Sequence, residues 1–311
     1  MPRFLVCSFG PIAVLFLTAL PIAAMAAPAE RKIVVASKID TEGALLGNMI
    51  LALLDAHGLA TKDKLQLGPT NIVRAAILAG QIDIYPEYTG NGALFFHLEN
   101  DPVWKSWAKG AAAIATLDRD QNHLVWLTPA PANNTWTIAV RKDLAERHGL
   151  RSMQDFARYV AQGGRIELAA SAEFVESPSA LPAFEATYGF RLTDRQLLTL
   201  AGGNTSATLR AAAEGMSGVN AAMAYGTDGA VAALGLVALT DDKGAQIVYA
   251  PAPVVRQPVL ARHPEIAGLL DPAFATLTIG TLQRLNAEIA VDGRDAAAVA
   301  AAYLRSRHLL P

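Results

Sequence analysis

Three short runs of the chain set aromatic rings beside small polar groups. They are YPEYTGN (Tyr85 to Asn91), NNTW (Asn133 to Trp136) and YGTDG (Tyr225 to Gly229). A fourth run, SAEF, ends in Phe174, and the loop SKIDTEG adds Lys38, Asp40, Thr41 and Glu42. Converging ring faces suit a cation that cannot donate a hydrogen bond. A quaternary ammonium spreads its charge over methyl groups, and each ring face attracts it by about 0.5–2 kcal/mol, depending on desolvation. Three or four rings then supply several kcal/mol without a direct ion pair. Thr89, Asn134 and Thr135 offer hydroxyl and amide groups for the polar tail of such a ligand. Any single ring near a strand end is more simply core packing with its polar tip in water. Recurrence at several separate strand ends, each time beside Thr, Asn or Asp, favours a site.

The elements that must hold these runs are legible from periodicity. KIVVASK reads as a strand. In TEGALLGNMILALLDAHG the residues Leu45, Leu46, Met49, Ile50, Leu53 and Leu54 recur at helical spacing, with Thr41 as N-cap and Gly58 as stop. KLQLG is a second strand. TNIVRAAILAG is a second helix, capped by Thr70, with Ile72, Val73, Ala76 and Ile77 inward, and the strand ending in YPEY follows. This β-α-β-α-β order predicts a parallel sheet covered by helices, and ligands of such sheets lie beyond the carboxyl ends of the strands. Pro86 is expected to end the ladder and turn Tyr88 toward a cleft. Gly90 and Gly92 are expected to admit a ligand closely, with Tyr85 on the sheet and Glu87 at the rim. The alternation of strands and helices continues through 135–171 and 219–255, and helical patterns fill the C-terminal part. No low-complexity linker appears, so two lobes would be joined by strands that cross between them.

The opening segment MPRFLVCSFGPIAVLFLTALPIAAMAA has one basic residue, an apolar run broken by Pro11 and Pro21, and Ala24-Met25-Ala26 near its end. That is the layout of a cleavable secretory leader over residues 1–27, and it places the mature protein in the periplasm. Cys7 is the sole cysteine and lies in the leader, which excludes disulfides and thiol chemistry from the mature chain. The chain has 26 basic and 28 acidic side chains; the leader holds Arg3 and no acid. This slightly acidic balance argues against nucleic acid as a partner. The 6 histidines are scattered without metal-ligand spacing, no G-x-S-x-G elbow, P-loop or dinucleotide fingerprint occurs, and no cofactor is expected. Asp40 and Glu42 read as partners of a helix dipole. VRKDLAERHG reads as a solvated helix face.

The segments ASKIDTEG, GQIDIYPEYTGNG, NNTWTIAVRKDLAERHGL, FEATYGF, AMAYGTDG and LQRLNAEIAVDG together resemble substrate-binding proteins of glycine betaine, choline and carnitine ABC transporters. The likeness is strongest to the osmoprotectant-binding branch of Gram-negative periplasms, and runs in matching order from about Lys32 onward. It implies an α/β, two-lobed type II binding-protein fold with parallel-rich sheets flanked by helices and a ligand cleft at the hinge. It also implies a monomeric, non-enzymatic receptor whose partners are a quaternary amine and the permease and ATPase of an ABC importer. Lobe 1 is expected over 28–134 and 228–311, and lobe 2 over 135–227. The resemblance makes Tyr88, Trp136 and Tyr225 cage members, with Phe174 a further candidate. Asn134 and Thr135 match positions near the ligand's polar part; Thr89, Lys38 and Asp40 are further candidate contacts by residue type and strand-end position alone. One departure bears on the ligand. Some relatives carry an arginine near Ser177, whereas this chain has Val175, Glu176 and Ser177. A ligand carboxylate thereby loses a charged hydrogen-bond partner of about 1.5–3 kcal/mol, so weak betaine binding or a preference for a ligand such as choline is expected. A receptor for an amino acid or anion would want a central Arg or Lys, for which only Lys38 is placed. A secreted enzyme would need a nucleophile–base or acid–base pair.

Overall fold

The computed structural model describes residues 1–2, 31–200 and 205–310. The chain divides into two compact units, Met1–Arg31 and Lys32–Pro311. From residue 3 on, the expected leader lies outside the described residues, and the second unit carries the fold.

Among the described residues, ten strands form two five-stranded sheets. The first contains β1 (Ile33–Lys38), β2 (Thr61–Gly68), β3 (Ile84–Tyr88), β4 (Leu124–Trp126) and a late strand. The second contains β5 (Trp136–Arg141), β6 (Leu168–Ser171), β7 (Leu197–Leu200), β8 (Ala221–Tyr225) and β9 (Leu236–Ala238). The late strand of the first sheet is β10 (Pro251–Arg256). The orders are β2-β1-β3-β10-β4 and β7-β6-β8-β5-β9. In each sheet four strands run in one direction, and the fourth in order, β10 or β5, runs antiparallel to both of its neighbours. The two sheets are therefore built on one plan. β10 plays in the first the part that β5 plays in the second. The α/β architecture expected from the alternating pattern is present, and so are the two lobes that the family resemblance implied.

The first helix, Thr41–Ala56, buries the predicted stripe Leu45, Leu46, Met49, Ile50, Leu53 and Leu54. These side chains meet β1, β3 and the C-terminal helices in one core, which includes Phe274, Leu282, Leu285, Tyr303 and Leu304. Asp40, not Thr41, is the cap: its side chain accepts from the Gly43 amide at 2.7 Å. The second helix, Thr70–Leu78, is preceded by Pro69 with no side-chain cap bond. Val73, Ala76 and Ile77 are buried, but Ile72 is exposed, because it lies off the stripe that those three define and packs over Gly68 instead.

Pro86 does not end the ladder. It lies inside β3 in register with Pro253 of β10. Two opposed prolines cannot exchange N–H bonds, so they occupy a non-hydrogen-bonded pair of the β3–β10 ladder, where neither ring removes a donor from that pairing. Pairing continues to Tyr88↔Pro251. The second sheet reaches beyond the span 135–227, since β9 pairs with β5 through Ala139↔Ala238 and Val140↔Val237. Two neighbouring segments run between the sheets. The Asn134 amide donates to Tyr249 O at 2.9 Å, the Tyr249 amide to Asn133 Oδ1 at 2.8 Å, and the Thr135 hydroxyl to Ile247 O at 2.8 Å.

Candidate functional site

β3 and β8 end in tyrosines, and β5 begins with Trp136, so the sheets set rings at the level where the two crossing segments pass. In the second sheet Trp136 lies opposite Tyr225 in the β5–β8 ladder. Cross-strand partners project to the same face, and here the rings stack with centroids 6.4 Å apart at 21°. Phe174 meets Trp136 edge-on at 5.9 Å and 85°. Phe174 itself is fully buried; it backs Trp136 from the core and also lies near Phe184. Trp136 Nε1 is buried without a hydrogen-bond partner. Burial raises the Tyr225 hydroxyl above its ordinary pKa against the lowering effect of the Trp136 side chain, and the charges of Glu173, Asp228 and Asp40 add to the rise.

Tyr88 stands on the first sheet, nearly buried. Its hydroxyl donates to Glu42 Oε1 at 2.8 Å, and the ammonium of Lys38 lies 4.5 Å from its ring centroid. The ring thus already faces one cation. Lys38 is paired with Glu87 at 2.5 Å, both side chains buried. Glu87, expected at the rim, is 0 % exposed. The buried ammonium demands an anion beside it, and Glu87 Oε1 also accepts from the Tyr88 amide and Asn91 Nδ2, each at 2.7 Å. Tyr85 is fully buried in the sheet core, as expected of it.

Glu42 is the group that ties the parts together. Its carboxylate takes the Tyr88 hydroxyl, Asn134 Nδ2 at 3.4 Å and Asn286 Nδ2 at 2.8 Å. Asn286 also donates to Thr227 O at 3.0 Å. Burial drives the Glu42 pKa up to about 7, against the lowering effect of the side chains of Thr227, Tyr88 and Asn286 and with a further push from Asp40. The loop after β8 is held on the helix Ile279–Ala290 at the same place. Gln283 Nε2 donates to Gly226 O at 2.9 Å, and a Cβ on Gly229 would lie 2.1 Å from Ala287 N.

The remaining candidates divide. Asn134 reaches this cluster, and its Oδ1 is buried and unpartnered. Asp40 is exposed at the helix start, where it serves as cap. The hydroxyls of Thr89 and Thr135, read as ligand contacts, bond the backbone of the returning segment: Thr89 donates to Val248 O at 3.1 Å and accepts from the Ala250 amide at 3.1 Å. Gly90 and Gly92 admit protein rather than ligand. A Cβ on Gly90 would meet Ile247 and Tyr249 at 2.7–2.8 Å, and one on Gly92 the Trp104 ring at 2.5 Å. Tyr249, Asn286 and the buried role of Glu42 escaped sequence reasoning. Burial raises Tyr249 to about 12, helped by Tyr225, Glu173 and Glu87. A tyrosine just ahead of a returning strand was the available signal for it.

A two-lobed frame with rings and acids gathered at the crossing can hold a small cation. Comparison with known proteins agrees in kind. The family described as the substrate-binding domain of ABC-type glycine betaine transport systems matches residues 31–306. The chain belongs to that family. It is 58% identical to the glycine betaine-binding protein YehZ of Escherichia coli (strain K12) over 96% of each chain. It is 33% identical to a glycine-betaine-binding protein of Pseudomonas aeruginosa, covering 89% of this chain and 88% of the other. The solved structure of apo YehZ from E. coli superposes with a TM-score of 0.81 at 59% identity, covering 89% of this chain and 99% of that one. No helix among the described residues is long and apolar enough to cross a membrane.

Proposed function

We propose that this chain is the periplasmic receptor of an ABC importer for quaternary ammonium compounds. A leader over residues 1–27 carries it across the inner membrane and is removed. The mature monomer binds a methylated cation between two lobes, closes on it and presents it to the permease, without making or breaking a bond. The lobes divide at the crossing segments, near Asn134 and again near Tyr249. The observation that carries this reading is the Trp136–Tyr225 stack at the crossing, with Tyr88 tied to the same region through Glu42 and Asn134.

Trp136 and Tyr225 offer their faces to the methyl groups, Tyr249 adds a third ring from the returning segment, and Tyr88 closes the cage from the first lobe. Asp40, Glu173 and Asp228 act on Tyr225, whereas the nearby Lys38 is already paired with Glu87. That field favours net positive charge, so choline is expected to bind at least as well as betaine. Calorimetric titration with glycine betaine, choline, carnitine and a panel of amino acids tests the reading. Saturable binding of a quaternary amine without turnover supports it. Binding of an amino acid or anion, with no signal for any quaternary amine, overturns it.

A further inference from the structure

Glu42 is a buried carboxylate whose oxygens meet two residues read as ligand contacts, through the Tyr88 hydroxyl and the Asn134 amide. Ionised, it draws both donors toward itself. Beside it stand two acceptors with no donor: Asn134 Oδ1 and Asn286 Oδ1 are buried and unpartnered, although the Nδ2 of each amide is turned to Glu42. A carboxyl proton would satisfy such an acceptor. A half-turn of the Asn134 amide exchanges Nδ2 for Oδ1, gives the Glu42 hydroxyl an acceptor, and turns the two amide N–H groups away from Glu42.

We propose that Glu42 selects, by its protonation, between quaternary amines that carry a carboxylate and those that do not. With Glu42 ionised, a ligand carboxylate meets a second negative charge and finds the Asn134 amide occupied. With a proton taken from solvent, the repulsion disappears and the amide is released to the carboxylate. Glu42 is thus a positioning residue that acts through Asn134 and Tyr88. This rests on the receptor reading above and specifies its ligand preference.

The surroundings keep the titration within reach of ordinary pH. Asp40 on the same loop opposes ionisation, as does burial, and together they hold the pKa at about 7 in spite of the donors. From β1 comes Lys38, neutralised by Glu87 of β3. Tyr88 of β3 stays protonated, its pKa raised well above the ordinary value by burial and by Glu42 and Asp40. Beyond Thr227 stands Asp228, also raised by burial. The helix Ile279–Ala290 contributes the neutral Asn286, while its Arg284 and Glu288 pair with each other at 2.7 Å.

The test is calorimetric titration of the wild type and Glu42→Gln with glycine betaine and with choline at pH 6, 7 and 8. The two ligands share a trimethylammonium head, so their affinity ratio cancels the cage and reports on the tail. In the wild type the betaine-to-choline ratio is expected to fall about tenfold from pH 6 to pH 8, as the carboxyl ionises. In Glu42→Gln, whose amide mimics the protonated acid, the ratio should stay constant near the wild-type value at pH 6. A flat wild-type ratio overturns the proposal, and so does an unchanged slope in the variant. The wild-type profile decides even if the variant does not fold. If both ligands bind and the ratio is flat, the receptor reading stands and only the role of Glu42 falls. If neither binds at any pH while another solute does, the receptor reading itself fails.

Discussion

Trp136→Ala separates a binding role for the ring from a packing role. In a desolvated site a tryptophan face contributes about 2 kcal/mol to holding a quaternary ammonium, which corresponds to a roughly 30-fold rise in Kd. The indole Nε1 is buried and makes no well-aligned hydrogen bond, although its side chain acts on the Tyr225 hydroxyl. What the folded state loses is packing: the stack on Tyr225 and the edge contact with Phe174, each worth about 0.5–1.5 kcal/mol beyond buried area. Both effects are measurable on one preparation, by calorimetry for binding and a thermal melt for stability. Trp136→Phe keeps a ring of lower π-density in the same place and should recover most of the packing but only part of the affinity. The expected ranking in Kd is therefore wild type, then Phe, then Ala, for betaine and choline alike. A folded Trp136→Ala protein that binds both ligands within threefold of wild type would show that the ring is core only, and the cage built on it would have to be abandoned.

Three further outcomes follow from the geometry. Glu42 has a folded pKa of about 7 against an ordinary 4.5, so the folded state holds the proton more tightly than the unfolded one. The stability this contributes is present below pH 4.5 and is lost as pH rises through 7, by up to about 3 kcal/mol. Denaturant melts from pH 4 to pH 8 should show that decline in the wild type and not in Glu42→Gln; equal slopes would exonerate Glu42. Arg74 is paired inside the first lobe with Asp118, at 2.9 Å for one of two contacts, and Asp118 also accepts from Trp126 Nε1 at 2.7 Å. Arg74→Leu strands that buried carboxylate and should cost about 3–5 kcal/mol in chemical denaturation, whereas a loss below 1 kcal/mol would mean that the pair is dispensable. Gly229→Ala places a methyl 2.1 Å from Ala287 N. It should push the loop after β8 off the helix, with about 1–3 kcal/mol lost on melting and weaker binding by calorimetry; unchanged values for both would show that the contact yields freely.

Much of the framework is legible in the chain itself, because it is local. The stripe from Leu45 to Leu54 recurs at the helical period and is buried as such. The strand-end tyrosines Tyr88 and Tyr225 and the start of β5 at Trp136 are marked by apolar runs that stop at polar ones. That Trp136 and Tyr225 share a face needed the β5–β8 register, which no run of residues contains. Fine placement failed where one residue's fate depended on a distant partner. Glu87 looks like a rim acid until Lys38, 49 residues away, is brought against it. Pro86 looks like a strand end until Pro253 is set opposite it.

Glu42 draws the boundary most clearly. By sequence it is an acid in the first turn of a helix, where charge–dipole attraction is explanation enough. In the fold it meets Tyr88 from 46 positions on and Asn286 from 244 positions on, with little of it left in contact with water. Periodicity and turn chemistry are properties of neighbours along the chain, so the sequence alone determined the helices, the strands and the kinds of residue at their ends. Desolvation and side-chain partnership arise only when remote segments close around a group, so the charge and bonding of the site were decided by the tertiary structure.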